Sequence, residues 1–304
     1  MGADPIPAGE RPPFSESLVD VDGVLVHYVR SGEDLRPKRP RPVVFFHGFL
    51  AATWYWLPLM RDLQPRATIA FDRPGFGLTE RPEHLAWGTA MNPYTIAGSA
   101  DLGAHLLELI GVQRAFIVGH SLGGAVAAEF ALRYPHLVIG LVLVSPGVYG
   151  IPQVQQRPDW VLKLAASKAG MWAGPKLLSA GFGLGKDRLL RSLYASEDAI
   201  PPNTKREYDD QFALPGFWRG LWEFSIAPQP EVPAGRLGDV SVPTIVLAGT
   251  RDKVLKPELS KRVADEIPGA VFELVEGAGH NLHEEQPEAI LAAIRRLSRP
   301  ERRR

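Results

Sequence analysis

The stretch that decides the fold is FIVGHSLGG, residues 116–124. An apolar run leads into Ser121, and glycines stand two residues before and two residues after this serine. Residues 115–118 predict a strand, and the alanine-rich residues 125–134 predict a helix that Pro135 ends. A sharp turn from strand to helix would expose the serine side chain and bring the two elements so close that only glycine fits at positions 119 and 123.

A serine in such a turn is a candidate nucleophile. Its hydroxyl reacts poorly until a base takes the proton, and an enzyme that uses it must hold it rigidly. The alternative is a tight structural turn, because a chain with 30 glycines produces short glycine–serine patterns by chance. The order of strand, turn and helix around Ser121 favours the catalytic interpretation.

The predicted base for Ser121 is His280, which stands in a glycine-rich loop after a strand-like run (VEGAGHN, residues 275–281). Histidine commonly accepts the proton of a serine nucleophile. The alternative base is His283. It lies at the start of a polar run that is more typical of a helix N-terminus, so the strand-and-loop pattern favours His280.

The predicted acid that would orient His280 is Asp252, which follows the strand-like residues 246–249. Sites in parallel sheets assemble at the carboxyl ends of the strands, and Asp252 would lie at such an end. The alternative is a turn-forming aspartate in a surface loop. Residues 137–150, where related arrangements can carry the acid, contain neither Asp nor Glu, and this favours Asp252.

The reaction also needs hydrogen-bond donors for the negative charge that develops on the substrate oxygen. One predicted donor is the backbone N–H of Leu122, directly after Ser121 and at the start of its helix. The second is the N–H of Phe49, in the loop after the strand-like residues 43–46. In that loop Gly48 would permit the bend, and His47 would brace it. The alternative interpretation is an ordinary strand end.

Strand-like runs alternate with helix-like segments along the chain. The predicted strands are residues 24–29, 43–46, 68–71, 115–118, 138–144, 244–248 and 271–275, and further predicted helices are residues 96–110, 256–267 and 287–297. Several of the strand-like runs are continuously apolar, as in strands that are covered on both faces. The sequence therefore predicts an α/β fold with a mostly parallel sheet flanked by helices.

Residues 147–236 break this alternation and are rich in aromatic side chains and glycine. They predict a helical cap inserted into a core made of residues 1–146 and 237–304. Trp160, Trp218 and Trp222 are candidate substrate-binding residues, with the alternative that they only attach the cap to the sheet. His120 adjoins the nucleophile but alternates to the other side of the strand, so a structural or pocket-lining role is expected.

Composition limits the functional classes. Basic and acidic side chains number 34 each, so the net charge is +0, and neither nucleic-acid binding nor attraction to anionic membranes is expected. The chain has no cysteine, which excludes disulfides and thiolate metal sites, and no ligand cluster predicts a metal or other cofactor. Without a signal-like segment or a long apolar run, we expect a cytoplasmic protein with no integral membrane segment. The oligomeric state stays open.

Five motifs in order resemble the alpha/beta-hydrolase superfamily: HGF at 47–49, DRPGFG at 72–77, GHSLGG at 119–124, GTRD at 249–252 and GAGH at 277–280. The resemblance spans residues 19–297. It implies an eight-stranded, mostly parallel sheet with a helical cap after the sixth strand, and it makes residues 72–77 a structural turn. Dehalogenases and epoxide hydrolases of this superfamily use an aspartate nucleophile. Serine at position 121 argues against both activities.

The resemblance and the motifs together predict a Ser-His-Asp hydrolase. Its substrate would be a carboxylic ester or related acyl compound with a hydrophobic group, cleaved through an acyl-enzyme. One alternative is a hydrolase that cleaves a carbon–carbon bond in a diketone, which a cation near Ser121 would favour; Lys186, Arg188 and Arg191 are available. The others are a cofactor-free perhydrolase or haloperoxidase and a ligand receptor with slow turnover.

Overall fold

A computed structural model describes residues 14–32, 41–83, 92–150, 158–229 and 232–299. Its strands are β1 (Ser15–Val21), β2 (Val24–Ser31), β3 (Val43–Phe46), β4 (Thr68–Phe71), β5 (Ala115–His120), β6 (Val138–Val144), β7 (Thr244–Gly249) and β8 (Val271–Val275). Its helices are α1 (Leu57–Asp62), α2 (Ile96–Leu109), α3 (Leu122–Arg133), α4 (Asp159–Ala165), α5 (Lys168–Ser192), α6 (Thr204–Phe212), α7 (Phe217–Ile226), α8 (Pro257–Glu266), α9 (Leu282–Glu285) and α10 (Pro287–Leu297).

The strands form one eight-stranded sheet in the order β1-β2-β4-β3-β5-β6-β7-β8. Strand β2 pairs antiparallel with both β1 and β4, and the pairs from β4 to β8 are parallel. Parallel neighbours need a long connection, and the helices supply it. The α/β fold class with a mostly parallel, eight-stranded sheet is thereby confirmed.

Both faces of the sheet are covered, which explains the continuously apolar strands. Along β3, Phe46 packs in one apolar cluster with α2 and α3, while its neighbour Phe45 packs in a second cluster with α1 and α10. The same alternation places Ile117 and Val118 of β5 on opposite faces. Because successive side chains point to opposite faces, a strand at the centre of such a sheet has no polar face.

Strand β1, at the antiparallel edge, was not predicted from the sequence. Its residues alternate in exposure, because one face of this edge strand meets solvent. The signal that could have found it is the dipeptide Asp22-Gly23 between Val21 and Val24, since Asp-Gly is the preferred loop of a two-residue hairpin. Both loop residues have positive φ, 53° for Asp22 and 83° for Gly23, as that type of turn requires.

The described residues between β6 and β7 contain helices α4 to α7 and no strand. We call residues 159–226, which hold these four helices, the helical insertion. Its long helix α5 packs on α7, where Gly174 lies against the Trp222 ring so closely that an added Cβ would come within 2.1 Å of it. The limits of 147 and 236 for a cap domain remain a prediction.

Candidate active site

Ser121 sits between the end of β5 and the start of α3 with φ 53° and ψ −124°, a conformation that non-glycine residues rarely adopt. The surrounding structure holds it there. An added Cβ at Gly119 would meet the Gly123 carbonyl oxygen at 2.4 Å, and one at Gly123 would meet the Phe46 carbonyl oxygen at 2.2 Å. The glycines on either side of Ser121 are therefore required by close backbone contacts, as the sequence predicted.

His280 and Asp252 are brought together by the loops that follow β8 and β7. The His280 Nδ1 atom lies 2.8 Å from Asp252 Oδ2, and both side chains are buried. The other carboxylate oxygen accepts hydrogen bonds from the amides of Val254 and Leu255, each at 2.8 Å. Burial by itself would raise the pKa of Asp252, but the hydrogen bond from His280 and the amides of Leu255 and Val254 lower it overall.

The His280 ring lies next to the serine turn. Its centroid is 4.7 Å from that of His120, the residue directly before Ser121. With Nδ1 engaged by Asp252, Nε2 is the ring atom left for proton transfer. Among the described residues, the Ser121 hydroxyl and the His280 ring form no hydrogen bond. Proton transfer between them is therefore a proposal.

The loop after β3 also lies close to Ser121. A Cβ added to Gly48 would lie 3.3 Å from the Ser121 Cβ. The buried Arg73 guanidinium fixes this loop, because it donates to the carbonyl oxygens of His47 at 3.0 Å and Gly48 at 3.1 Å. The amides of Phe49 and Leu122 donate no hydrogen bond to other described residues.

His47 braces the same loop. Its Nε2 accepts a hydrogen bond from the Arg73 amide at 3.0 Å, and its Nδ1 donates to the Gly48 carbonyl at 2.8 Å. Burial, with the Arg73 charge, keeps the pKa of His47 well below its usual value, so the ring is neutral and each nitrogen has a defined role. Because both ring nitrogens are engaged, His47 is placed to brace the loop and not to act as a second base.

Asp72 supports the turn at residues 72–77. Its carboxylate is buried and accepts from the His27 ring at 2.7 Å, the Thr53 amide at 2.6 Å and the Leu78 amide at 2.9 Å. These hydrogen bonds join the Asp72 carboxylate to β2, to the segment before α1 and to its own turn, and none of them goes to His280. Its place in the structure matches a turn-supporting residue rather than a second acid for the base.

His120 is buried away from solvent and holds the loop that carries His280. Its Nε2–H donates to the His280 carbonyl at 2.9 Å, and its Nδ1 lies 2.9 Å from the Tyr55 hydroxyl. Burial, with the neighbouring His280 ring, lowers the pKa of His120 to about 3. A substrate-binding role for His120 stays a prediction. Tyr55 was not predicted from the sequence, and its hydroxyl also donates to Asn281 Oδ1 at 2.9 Å.

The loop that carries His280 is also held by Glu285 and by the segment of the helical insertion that follows α5. The Glu285 carboxylate accepts from the amides of Gly279 at 2.6 Å and Ala195 at 2.9 Å. The Asn281 amide donates to the Leu193 carbonyl at 2.9 Å. These contacts attach the segment after α5 to the backbone on both sides of His280.

His283, the alternative base, lies in α9 with its ring stacked on Tyr55 at a centroid distance of 3.4 Å. Its side chain is buried, neither ring nitrogen has a hydrogen-bond partner among the described residues, and burial keeps its pKa well below the usual value. Asp252 contacts His280 and not His283. The choice between the two histidines as the base therefore stays a prediction, with His280 as the one beside the candidate acid.

The three candidate tryptophans occupy different environments. Trp218 packs among the rings of Phe182, Phe212 and Phe217, and Trp222 donates from its indole N–H to the Ala165 carbonyl at 3.2 Å. Trp160 is on α4 and is 69% exposed. Their role in substrate binding stays a prediction.

The described residues contain no group of three histidine or carboxylate side chains arranged to hold a metal ion. In the part of the chain that the structure describes, no helix combines the length and the apolar character needed to cross a membrane.

Comparisons with known proteins identify the fold family. A family model described as alpha/beta hydrolase fold matches residues 41–287. One relative is the dihydrolipoyllysine-residue acetyltransferase component of the acetoin cleaving system of Cupriavidus necator. It is 30% identical over 266 residues, which cover 86% of this chain and 63% of that protein. This chain thus spans less than two thirds of that relative.

A second relative is the 2-hydroxy-6-oxo-2,4-heptadienoate hydrolase of Pseudomonas putida, 27% identical over 83% of this chain and 87% of that protein. Among solved structures, the 2-hydroxy-6-oxo-6-phenylhexa-2,4-dienoate hydrolase of Rhodococcus sp. strain RHA1 superposes with a TM-score of 0.72 at 21% identity. The superposition covers 94% of this chain and 99% of that one, and it shows a shared fold. By the extent of the family match, this chain belongs to the alpha/beta hydrolase fold family.

Proposed function

We propose that this protein is a serine hydrolase that cleaves a carboxylic ester or a related acyl substrate with a hydrophobic group. The observation that carries the proposal is the buried hydrogen bond of 2.8 Å between His280 Nδ1 and Asp252 Oδ2, formed beside the strained backbone of Ser121. A carboxylate in this position sets the tautomer of the histidine, so that Nε2 is free to act as a base.

In the proposed reaction, the Ser121 oxygen attacks the carbonyl carbon while its proton moves to His280 Nε2. The tetrahedral intermediate collapses, and the proton passes from His280 to the departing alcohol. A water molecule then gives a proton to His280 and attacks the acyl-enzyme, which releases the carboxylic acid and returns the proton to Ser121. Asp252 stabilises the imidazolium in both halves of the reaction.

The amides of Leu122 and Phe49 are suited to hold the oxyanion. Leu122 is the first residue of α3, where the helix dipole favours negative charge. Phe49 follows the loop that Arg73 fixes, and neither amide is used elsewhere among the described residues. Donors that are already oriented stabilise the transition state without the cost of reorganising them.

Aromatic packing near this loop supports an apolar substrate group. The Phe49 ring lies 6.0 Å from that of Phe76 and 5.8 Å from that of Phe224, which α7 of the helical insertion contributes. Apolar surface beside the reacting carbonyl would favour an acyl or alkyl chain over a charged group.

Carbon–carbon bond hydrolysis is the second candidate, because the Pseudomonas putida relative is named for a dienoate substrate. Such a substrate would need a cation near Ser121. Lys186 instead pairs with Asp209, Arg191 pairs with the largely exposed Glu197 at 3.1 Å, and Arg188 is exposed on α5. These engagements favour the ester reaction.

The test compares the wild type with Ser121→Ala. A fluorophosphonate probe should label the wild type only, and turnover of p-nitrophenyl esters of increasing chain length should fall by roughly 10⁶ or to background in the variant. Ser145→Ala is the matched control, because Ser145 also has a positive φ and follows the next strand, and it should keep the label. Faster turnover of a vinylogous diketone than of any ester would favour the second candidate. An unlabelled and inactive wild type would contradict both.

A further inference from the structure

The helical insertion carries a concentrated patch of exposed apolar side chains. Large apolar side chains are exposed at eleven described positions, and five of these lie on α4 and α5: Trp160, Leu164, Trp172, Leu177 and Leu184. The other six are distributed over β1, β2, α2, β8 and two loops. Scattered exposed apolar residues are normal, whereas a cluster on one element marks an interaction surface.

Helical spacing places these side chains on common faces. Trp160 and Leu164 are one turn apart on α4. On α5, Trp172, Leu177 and Leu184 fall within an arc of about 140°, at 100° per residue. Leu178, Phe182 and Leu189, which pack against the buried core, fall about 100–140° beyond Leu177 on the same projection. The exposed face of α5 is therefore the one opposite its packing face, and Leu177 also lines an open apolar groove of about 420 Å³ beside it.

Basic side chains are mixed into the same surface. Residues 158–192 contain six lysines or arginines and two aspartates, although the whole chain has a net charge of +0. Lys186 and Arg191 pair with Asp209 and Glu197, and the exposed Asp187 lies 3.8 Å from Lys205. Lys168, Lys176 and Arg188 are exposed on α5. The Lys176 ammonium lies 3.6 Å from the centroid of the Trp172 ring, so the two side chains form a cation–π contact on this face.

We infer that this face, defined by Trp172, Lys176, Leu177, Leu184 and Arg188, docks on the surface of an anionic lipid membrane. Apolar and aromatic side chains on a helix flanked by lysine and arginine can lie in the plane of a lipid interface. There the apolar groups enter the acyl boundary and the cations remain among the headgroups. No helix among the described residues spans a membrane, and none is needed for such docking.

Charge decides between lipid and a second copy of the chain. A twofold dimer through this face would bring two basic faces together, and like charges across an interface oppose association. An anionic lipid surface instead attracts each nearby lysine or arginine by about 1 kcal/mol, which is roughly a fivefold gain in binding. The zero net charge of the chain hides this local excess.

The test uses Ser121→Ala protein, so that lipid hydrolysis cannot alter the vesicles, and its result does not depend on the function proposed for Ser121. Co-sedimentation is measured with vesicles of phosphatidylcholine alone and with added phosphatidylglycerol. We expect at least about tenfold stronger binding to the anionic vesicles, and weaker binding at high salt. Equal binding to both, or no binding, would overturn the inference.

Variants locate the surface. The triple change Trp172→Gln, Leu177→Gln and Leu184→Gln, or the double change Lys176→Glu and Arg188→Glu, should each lower binding by about tenfold or more. Their matched controls are the pair Leu109→Gln and Leu274→Gln, which are 58% and 51% exposed elsewhere, and the pair Arg295→Glu and Arg299→Glu near the C-terminus.

Controls that reduce binding as much as the patch variants would overturn the location. So would a wild-type dimer that the triple variant abolishes, because the face would then bind a second copy. If the triple variant fails to fold, Leu184→Gln alone replaces it, since that side chain is 93% exposed and its removal disturbs no packing. It should still reduce binding by at least about threefold.

Discussion

Glycine has different structural roles in the central sheet and in the helical insertion. Around Ser121 each glycine is required by a backbone contact, and a Cβ at Gly123 would lie 2.2 Å from a carbonyl oxygen. In α5, a Cβ added to Gly181 or Gly183 would meet nothing within 4 Å. Glycine is thus a packing requirement around Ser121, whereas at Gly181 and Gly183 of α5 it only lowers helix stability.

The two regions also differ in how deeply their side chains are buried. The strands that position the candidate site are buried throughout β3, β5 and β7, whereas only Gly174 and Leu190 are buried along the whole of α5. A site that needs atoms placed within a few tenths of an ångström rests on the first kind of structure. The insertion is free to vary its outer face, and this is where substrate range and surface interactions can differ between members of one fold.

The largest expected effect comes from breaking the core site without changing its shape. Asp252→Asn should lower kcat/KM for an ester by roughly 10⁴, because an amide no longer holds the proton on His280 Nδ1 or stabilises the imidazolium. The matched change in the insertion, Asp209→Asn, removes only the partner of Lys186 and should change kcat/KM less than about twofold. Similar losses in both variants would show that the two regions are equally involved in catalysis.

The glycine comparison predicts two stability changes of opposite sign. Gly123→Ala should reduce the free energy of unfolding by about 3 kcal/mol or more, because the added methyl meets two backbone carbonyls that cannot both move. Gly183→Ala should increase it by about 0.5–1 kcal/mol, through the better helix propensity of alanine. Urea denaturation of both variants measures these changes. Destabilisation by Gly183→Ala would mean that the outer face of α5 is packed against something.

The same contrast explains how much could be predicted from the sequence. Seven of the eight strands and the serine turn follow from local patterns, because continuously apolar runs and obligatory glycines are dictated by the covered sheet. His280 and Asp252 were identified by their place after strands, and the structure puts them 2.8 Å apart. Their catalytic roles with Ser121 remain a proposal.

What the sequence did not reveal depends on contacts between distant segments. Tyr55, Glu284 and Glu285 have no motif of their own, and each matters because of a partner far away in the chain, as in the contact between Tyr55 and His120. The exposed face of α5 was hidden for another reason. Aromatic and leucine side chains in that segment predict burial, and only the structure shows which of them remain in solvent.

A smaller loss than that of Gly123→Ala is expected at the junction of the two regions, where the Tyr194 hydroxyl after α5 donates to Glu284 Oε2 in α9. Burial raises the pKa of Glu284 to about 7 despite this hydrogen bond and one from Asn281. A carboxyl group with a raised pKa in the folded state stabilises the fold below its ordinary pKa, and this contribution is lost as pH rises through about 7.

Replacing Glu284 with glutamine removes the titration but keeps an oxygen that can accept from Tyr194. Between pH 4.5 and 8, wild type should therefore lose about 2–3 kcal/mol of unfolding free energy relative to Glu284→Gln, at about 1.4 kcal/mol per pKa unit. Urea denaturation at several pH values measures this difference. Glu288→Gln, at an exposed position on α10, should show no such pH-dependent difference. If Glu284→Gln also follows the wild-type profile, ionisation at this junction does not couple the insertion to the loop that carries His280.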